Sequence, residues 1–131
     1  AGLNVKINMS DMANYLKRAQ GGLDATPALS FGRWSCACQD ADGVLFPLLH
    51  KSSSWSVYRN DKADALLEAA RATLDEKKRL DAYRQIHEIV AEDVPLVPLY
   101  QVAAIYGAAK PLQWQPSPGE SLFLNRMSWK D

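Results

Sequence analysis

The sequence predicts an α/β fold in which a β-α-β opening is followed by a pair of helices and then by C-terminal strands. The opening residues alternate between apolar and polar side chains, which is the period of a half-buried strand. Two later stretches repeat apolar residues at the spacing of one face of a helix. The last third of the chain is rich in proline and has no helical period. These three observations place strands at both ends of the chain and helices between them.

The composition limits the classes of protein to which the chain can belong. It has 131 residues, 47% of them apolar, and its 15 Lys and Arg balance 15 Asp and Glu, so the formal net charge is zero. This length is enough for one domain with a core that needs no disulfide or structural metal. A neutral chain lacks the basic surface of a nucleic-acid binder, so we expect no nucleic-acid partner. Prolines and Lys110 interrupt the apolar runs before they reach the ~20 residues that span a bilayer.

The first third of the chain predicts a strand, a helix and a second strand. The apolar side of the first strand consists of Leu3, Val5, Ile7 and Met9. Ser10 is the expected N-cap of the helix, and Gly21-Gly22 end it. The second strand is expected over Leu23 to Phe31. The chain starts at Ala1 without an initiator Met, a basic region or an apolar signal core, so we expect no targeting signal within this stretch.

The middle of the chain predicts a loop-rich region followed by two antiparallel helices. Residues 32–43 are irregular, 44–49 are apolar, and 51–56 form a serine-rich solvated loop. The first helix is capped by Asn60 or Asp61, and the second is opened by Asp75 and Glu76. The expected buried side of the first helix consists of Leu66, Leu67, Ala69 and Ala70. The expected buried side of the second helix consists of Leu80, Tyr83, Ile86 or His87, and Val90.

The last third predicts extended structure. Prolines extend the chain over 94–100, and the residues from Val102 to Tyr106 form a plausible strand. Three prolines between 111 and 119 exclude a helix there. A final short strand is expected from Leu122 to Trp129. The chain shows no internal repeat.

Several of these stretches carry a resemblance to a known family. They are Asn60-Asp-Lys-Ala-Asp-Ala-Leu-Leu67, the run from Arg79 to Val94-Pro-Leu-Val-Pro-Leu-Tyr100, and the ending Leu122-Phe-Leu-Asn-Arg-Met-Ser-Trp129. The passage from Leu23-Asp24 to Gly32-Arg33-Trp34 also fits. Together they resemble the C-terminal half of the extracellular solute-binding proteins that serve dipeptide, oligopeptide and nickel ABC importers.

The resemblance implies a part of a larger, two-lobed binding protein. Members of this family enclose a ligand between two lobes joined by a hinge. Residues 1–101 correspond to part of the C-terminal ligand-binding lobe, and residues 102–131 to the hinge crossing and a segment of the first lobe. The implied partners are a peptide-like or other small solute and the transporter permease, in the periplasm or outside the cell with a lipid anchor. No cofactor and no bond chemistry are implied, and an exposed strand edge predicts self-association.

The resemblance also implies a ligand-binding loop. The family's cleft loop has a Trp followed by two Asp residues, and here Trp34 matches the Trp and Asp40 the second Asp, whereas Ala37 replaces the first. In peptide-binding members the first carboxylate receives the ligand's α-ammonium, so a free peptide N-terminus is a less expected ligand here. The implied ligand-binding residues are Arg33, Trp34, Ser35, Cys36, Ala37 and Asp40.

Other interpretations of this region remain open in the sequence. Arg33 either binds a carboxylate or phosphate or points to solvent. Cys36 and Cys38 could serve metal or redox chemistry, but residues so close in the chain are hard to bridge, and two free or buried thiols are the favoured interpretation. A Cys-His-Asp hydrolase has the required residue types in these cysteines with His50 or His87, but no nucleophile or oxyanion motif lies beside them. The sequence therefore predicts a binding protein rather than an enzyme, with His87 as a partly buried structural residue.

A second class of function is a stand-alone α/β protein-interaction domain that presents the helix pair to a partner. The solvent side of the second helix bears on this alternative. It carries Lys77, Lys78, Asp81, Arg84, Gln85 and Glu88. Such a face is too charged to lie in an apolar groove, which disfavours the alternative.

Overall fold

The computed structural model describes Gly2 and residues 4–130, so Leu3, part of the first predicted strand, lies outside the described residues. The described chain contains four α-helices, which are α1 (Met12–Ala19), α2 (Asp42–Leu49), α3 (Asp61–Ala72) and α4 (Glu76–Asp93). Two short strands follow, β1 (Leu112–Gln113) and β2 (Ser128–Trp129), with a 3-10 turn at Leu124–Arg126 between them. The fold is therefore a mixture of helices with few strands. None of the helices in the described part of the chain has the length and apolar character needed to cross a bilayer.

The core lies between α2, α3 and α4. Leu49, Leu67 and Ile86, one from each helix, are completely enclosed. The cluster around them consists of Leu45, Leu49, Leu67, Ala70, Ala82, Tyr83 and Ile86. Helices α3 and α4 pack against each other, and only residues 73–75 connect them. The predicted helix pair is thus confirmed, and α2 adds a third helix to it.

Side-chain caps begin three of the helices. The Asn60 carboxamide accepts a hydrogen bond from the Ala63 N–H, and the Asp75 carboxylate accepts one from the Lys78 N–H, which satisfies backbone donors that a helix start leaves free. Asn60, rather than Asp61, is therefore the cap of α3. At α1 the cap is Asp11 rather than the predicted Ser10, because it is the Asp11 side chain that reaches the backbone of the first turn.

The buried faces of α3 and α4 differ in part from the predicted ones. Ala69 and Leu80 are exposed, and so is His87, which was expected to be partly buried. In their places the helices bury Ala63 and Asp64 on α3 and Ala82 and Ile89 on α4. The side of a helix that is buried depends on where its neighbour sits, and α2, which the pattern of residues 44–49 did not specify as a helix, determines part of that position.

Three predicted strands are absent from the described residues. The stretches 4–9, 23–31 and 102–106 carry no strand pairing, and most of their apolar side chains are exposed, Ile7 by 81% and Ile105 by 93%. An alternating pattern records the preference of a strand for one buried face, but a strand also needs a neighbour to accept and donate its backbone hydrogen bonds. The described chain supplies no such neighbour, so the β-α-β opening is wrong for this structure.

The C-terminal segment contains one small antiparallel ladder. Leu112 lies opposite Trp129 and Gln113 opposite Ser128, and the Lys130 N–H donates to the Pro111 carbonyl over 2.8 Å. The final predicted strand is confirmed only at its end, since Leu124–Arg126 forms a 3-10 turn. The division between residues 1–101 and 102–131 stays a prediction.

Candidate functional site

The predicted ligand loop, residues 33–40, is fixed at its C-terminal end by an ion pair. Both oxygens of Asp40 accept hydrogen bonds from the Arg79 guanidinium of α4, at 2.9 and 2.6 Å. The Tyr83 hydroxyl accepts a further hydrogen bond from Arg79, and the Asp42 N–H donates to Asp40. The Arg79 contact, together with this backbone donor, holds the pKa of Asp40 below its usual range. Asp40 is therefore an ionised residue that attaches the loop to the helix pair.

Trp34 is attached to the start of α2. Its indole N–H donates to the Gly43 carbonyl over 2.9 Å. That carbonyl would ordinarily accept a hydrogen bond from residue 47, but residue 47 is a proline and has no N–H. The Trp34 ring also meets the Trp55 ring edge to face, with centroids 5.2 Å apart. Trp34 thus satisfies a backbone group that Pro47 leaves free, and it packs against Trp55.

Cys36 and Cys38 form a disulfide, so the favoured interpretation of two free or buried thiols is wrong. The bond closes within a tight turn in which the Gln39 N–H donates to the Cys36 carbonyl, and Gln39 adopts a positive φ of 51°. A Cβ at Gly43 would lie 2.2 Å from the sulfur of Cys36 and 2.4 Å from that of Cys38. Glycine at this position lets the disulfide lie directly against the first turn of α2.

Arg33 reaches the C-terminal segment instead of pointing freely to solvent. Its guanidinium forms an ion pair with Glu120, 87 residues further along the chain. The backbone near this pair is also close, because a Cβ at Gly119 would lie 3.1 Å from the Ala37 carbonyl oxygen. Segment 117–121 therefore covers one side of the loop. Ser35 and Ala37 remain exposed beside it.

Two arginines pair with the acidic residues Asp40 of the loop and Asp42 at the start of α2. Neither arginine is among the site residues predicted from the sequence. Arg79 binds Asp40, and Arg71 of α3 lies 3.2 Å from Asp42 while its guanidinium covers the Phe46 ring at 3.9 Å. The local sequence could not reveal these pairs, because the members of the Asp40 pair are separated by 39 residues. The sequence indicates one of these contacts in part, because the spacing of Arg79 and Tyr83 places both on one face of a helix. Nothing in the sequence indicates that Glu120 is the partner of Arg33.

His50 is a buried structural residue. The Ser52 N–H donates to its Nδ1 over 3.1 Å, and the Ser52 Oγ lies 2.7 Å from the same atom. Its Nε2 faces Glu68 at 3.2 Å. Its ring stacks on Phe46 with centroids 4.2 Å apart. His87 donates from Nδ1 to the Tyr83 carbonyl over 2.8 Å on the surface of α4. Neither histidine faces a free thiol.

The structure does not assemble the Cys-His-Asp arrangement of the hydrolase alternative, or a metal-binding cluster, from the residues it describes. The cysteines of the hydrolase alternative are joined to each other, so neither can act as a nucleophile in this form. Within residues 4–130, no three His, Cys, Asp or Glu side chains converge on a position that could hold a metal ion. A cavity of about 610 Å³ lies in the C-terminal segment, and its lining comes from residues 113–128 rather than from the loop.

Two curated proteins are similar to most of this chain. The Di/tripeptide-binding protein 1 of Pseudomonas aeruginosa is 31% identical over 102 residues, which is 75% of this chain and 18% of the relative. The Heme-binding protein A of Haemophilus influenzae is 34% identical over 105 residues, 76% of this chain and 19% of the relative. The chain thus spans about a fifth of the length of these relatives.

Comparison of the sequence with protein-family models and with solved structures gives no match. No protein-family model matches the sequence. No solved structure matches it either. The relationship therefore rests on the two sequence relatives, whose similarity extends over about three quarters of the chain.

Proposed function

Because the chain belongs to the extracellular solute-binding proteins that serve dipeptide, oligopeptide and nickel importers, we propose that it is part of the substrate-binding component of an ABC importer. In this role a two-lobed protein captures a small solute, and contacts from both lobes stabilise the closed form that a membrane permease recognises. The protein works in the periplasm or, with a lipid anchor, at the cell exterior. It makes and breaks no bonds in its solute.

The observation that carries the proposal is the way loop 33–40 is held. Asp40 and Trp34 attach it to the three-helix core, while Arg33, Ser35 and Ala37 stay on its exposed side. A loop fixed from behind loses little conformational entropy when a ligand binds, which favours affinity. This arrangement supports the implied ligand-binding role of the loop, with residues 1–101 in the ligand-binding lobe and 102–131 in the hinge crossing.

The charge of the loop favours a solute with a carboxylate. Arg33 already binds the carboxylate of Glu120, and its planar guanidinium can bind another one through two parallel hydrogen bonds. The relatives are named for di- and tripeptides and for haem, and both kinds of solute carry carboxylates. Glu120 is in this proposal an internal carboxylate that the solute displaces from Arg33.

The acidic residues of the loop do not favour an amino group. Asp40 and Asp42 are neutralised by Arg79 and Arg71, and Ala37 has no charge to offer. An α-ammonium group entering this loop would meet no free carboxylate among these positions. The solute is therefore recognised through its carboxylate more than through its amino end.

The test is calorimetric titration of a full-length protein that carries this chain. We use one dipeptide in three forms, which are unblocked, N-acetylated and C-amidated, and titrate haem in parallel. Acetylation should change the affinity little, whereas amidation should weaken it about tenfold or more, because a charge-assisted hydrogen bond is worth ~1.5 to 3 kcal/mol. If the protein binds none of these solutes, the proposed function is contradicted.

Two substitutions in the loop and one control on α4 test whether the effect arises in the loop. Arg33→Ala should remove the difference between the free and the amidated dipeptide, whereas Arg84→Ala, an exposed arginine on α4, serves as the matched control and should leave it unchanged. Ala37→Asp should make the protein prefer the unblocked over the acetylated dipeptide, because it restores a carboxylate for the ammonium group. Tight, amino-dependent binding by the unsubstituted protein would show that the alignment at Ala37 is wrong.

The alternative of a stand-alone protein-interaction domain has less support in the structure. On the outward side of α4, Arg84 and Glu88 bind each other at 2.7 Å. A face that is charged and paired within its own helix offers little apolar surface to a partner.

A further inference from the structure

The Cys36–Cys38 disulfide lies at the N-terminal end of α2. Both sulfurs contact the first turn at Gly43, where a Cβ could not be accommodated. Ala41, the N-cap residue, provides no side-chain hydrogen bond. The first N–H of the helix, that of Asp42, donates instead to the Asp40 carboxylate over 2.8 Å, and this carboxylate is paired with Arg79. A helix N-terminus lowers the pKa of a nearby thiol because it stabilises the thiolate.

The neighbouring charges do not cancel this effect. Asp40 at the end of the loop and Asp42 in the first turn of α2 are the nearby acidic residues, and each is paired with an arginine, at 2.6 and 3.2 Å. The backbone N–H of Cys38 also points at the sulfur of Cys36 over 3.2 Å. A thiolate on Cys36 would thus receive one direct hydrogen bond in addition to the field of the helix.

The two cysteines differ in exposure. Cys38 is an exposed residue, whereas Cys36 is half-buried. Attack on Sγ of Cys38 would leave the negative charge on Cys36, the sulfur that receives the hydrogen bond from the Cys38 N–H. A leaving thiolate of lower pKa departs faster in thiol–disulfide exchange.

From this geometry we propose that Cys36–Cys38 is a thiol–disulfide exchange site whose reaction partner is a dithiol. A thiolate of the dithiol attacks Sγ of Cys38, the bond between Cys36 and Cys38 breaks, and Cys36 leaves as a thiolate. The second thiol of the partner then attacks the mixed disulfide and releases Cys38. The partner ends as a disulfide, two electrons reach the protein, and the two thiol protons of the partner are available to Cys36 and Cys38.

Exchange at this site controls how firmly the loop is held. The disulfide lies between Trp34 and Asp40 in the chain. Its opening frees the sulfurs from Gly43, whereas the hydrogen bond of Trp34 to Gly43 and the ion pair of Asp40 with Arg79 remain. This last step, a looser ligand loop after reduction, rests on the proposed function. The exchange chemistry itself does not, and its test needs no solute.

The first experiment measures the reaction in the folded chain. Alkylation of the air-oxidised protein after unfolding should label no cysteine, and brief treatment of the folded protein with dithiothreitol should make both available. We expect dithiothreitol to reduce the folded protein at least ten times faster than it reduces oxidised glutathione under the same conditions. Labelling of both cysteines without reductant, or reduction only after urea unfolding, would overturn the proposal.

The second experiment separates the two sulfurs with a matched pair of variants. Cys38→Ser leaves Cys36 alone, and Cys36→Ser leaves Cys38 alone. The pH profile of iodoacetamide alkylation should have its midpoint at least one pH unit lower for Cys36 than for Cys38, because the Cys38 N–H donates to the sulfur of Cys36. Equal midpoints, or a lower one for Cys38, would contradict the assignment of the leaving sulfur. Hydrogen exchange of the Gln39 N–H, which donates to the Cys36 carbonyl inside the disulfide turn, should become faster on reduction of the unsubstituted chain, and unchanged exchange would overturn the loosening of the loop.

Discussion

Asp40 gives the loop a pH dependence whose direction follows from its ion pair. The Arg79 contact holds the pKa of Asp40 below its usual range, so Asp40 is ionised in the folded chain at pH values where it would be partly protonated in the unfolded one. It therefore stabilises the fold above about pH 5, and this contribution is lost as the pH falls through its lowered pKa. Asp40→Asn should lower the urea midpoint at neutral pH, and the difference from the unsubstituted chain should shrink at about pH 3.

Asp81→Asn is the control for this prediction. Asp81 is an exposed carboxylate on α4 whose nearest basic partner, Arg84, is 3.9 Å away. An exposed pair at this distance contributes little to stability. Both variants lose one negative charge. If their urea midpoints shift by similar amounts at neutral and at acidic pH, Asp40 has no special role.

Val94 ends α4 in a conformation that suits glycine. Its φ and ψ are 48° and 49°, in the left-handed region, which is costly for a β-branched residue. Its side chain is more than half exposed, so removing it sacrifices little apolar burial. Val94→Gly should therefore raise the free energy of unfolding, by roughly 1 kcal/mol, as measured by urea denaturation.

Val97→Gly provides the comparison. Val97 is also exposed, and it is not among the residues with positive φ. Glycine there relieves no strain and adds entropy to the unfolded chain, so this variant should gain no stability. An equal gain in both variants would mean that the left-handed conformation of Val94 is not the cause.

The sequence indicates loop 33–40 as a candidate only through the family resemblance, and it does not indicate what holds the loop. Trp34 and Asp40 were selected through the family resemblance, whereas Arg79 and Glu120 were missed because charged residues are common in a chain and carry no mark of a distant partner. The disulfide was misjudged because the proximity of Cys36 and Cys38 was treated as an obstacle. The space that Gly43 provides for the sulfurs is a property of the fold and not of the local sequence.

At the scale of the element, the buried face of α4 is open to a direct test. Ile86 is completely enclosed by the core cluster, so Ile86→Ala removes buried methyl groups and leaves a cavity. It should cost about 2 to 4 kcal/mol of unfolding free energy, measured by urea denaturation. A loss below about 0.5 kcal/mol would show that the face is assigned wrongly.

Leu80 is the matched position on the same helix. It was expected on the buried side and is 61% exposed. Leu80→Ala should therefore change the unfolding free energy by less than about 0.5 kcal/mol. A cost comparable to that of Ile86→Ala would favour the face that the sequence pattern predicts.

Helices were more predictable than strands for a physical reason. A helix forms its hydrogen bonds within its own residues, so the caps at Asn60 and Asp75 and the apolar periodicity are enough to locate α3 and α4. A strand depends on a neighbour that may be far along the chain, and the alternating residues 4–9 contain no information about it. The helix α2 was not specified because its sequence is short, apolar and contains Pro47, and it has no distinct polar side.

At the scale of the whole molecule, exposed apolar side chains predict self-association. Between residues 97 and 106 the chain forms no helix or strand, and side chains such as Leu99 and Ile105 are mostly exposed. Extended apolar segments with unpaired backbone groups pair readily with other chains. Sedimentation velocity over a range of concentrations should show a rising average mass, and Leu99→Lys with Ile105→Lys should suppress it without lowering stability. A monomer at every concentration would contradict this prediction.

The order of the core helices along the chain has a consequence for folding. Helices α2, α3 and α4 follow one another, and each packs against the next along the chain, so most helix contacts of this core join neighbouring elements. Folds with such local contacts form in microseconds to milliseconds, because little chain entropy is lost before the contacts are made. The pairing of Arg33 with Glu120 instead closes a loop across 87 residues. The helical core can therefore form early and by itself, and the C-terminal segment docks onto a loop that is already in place.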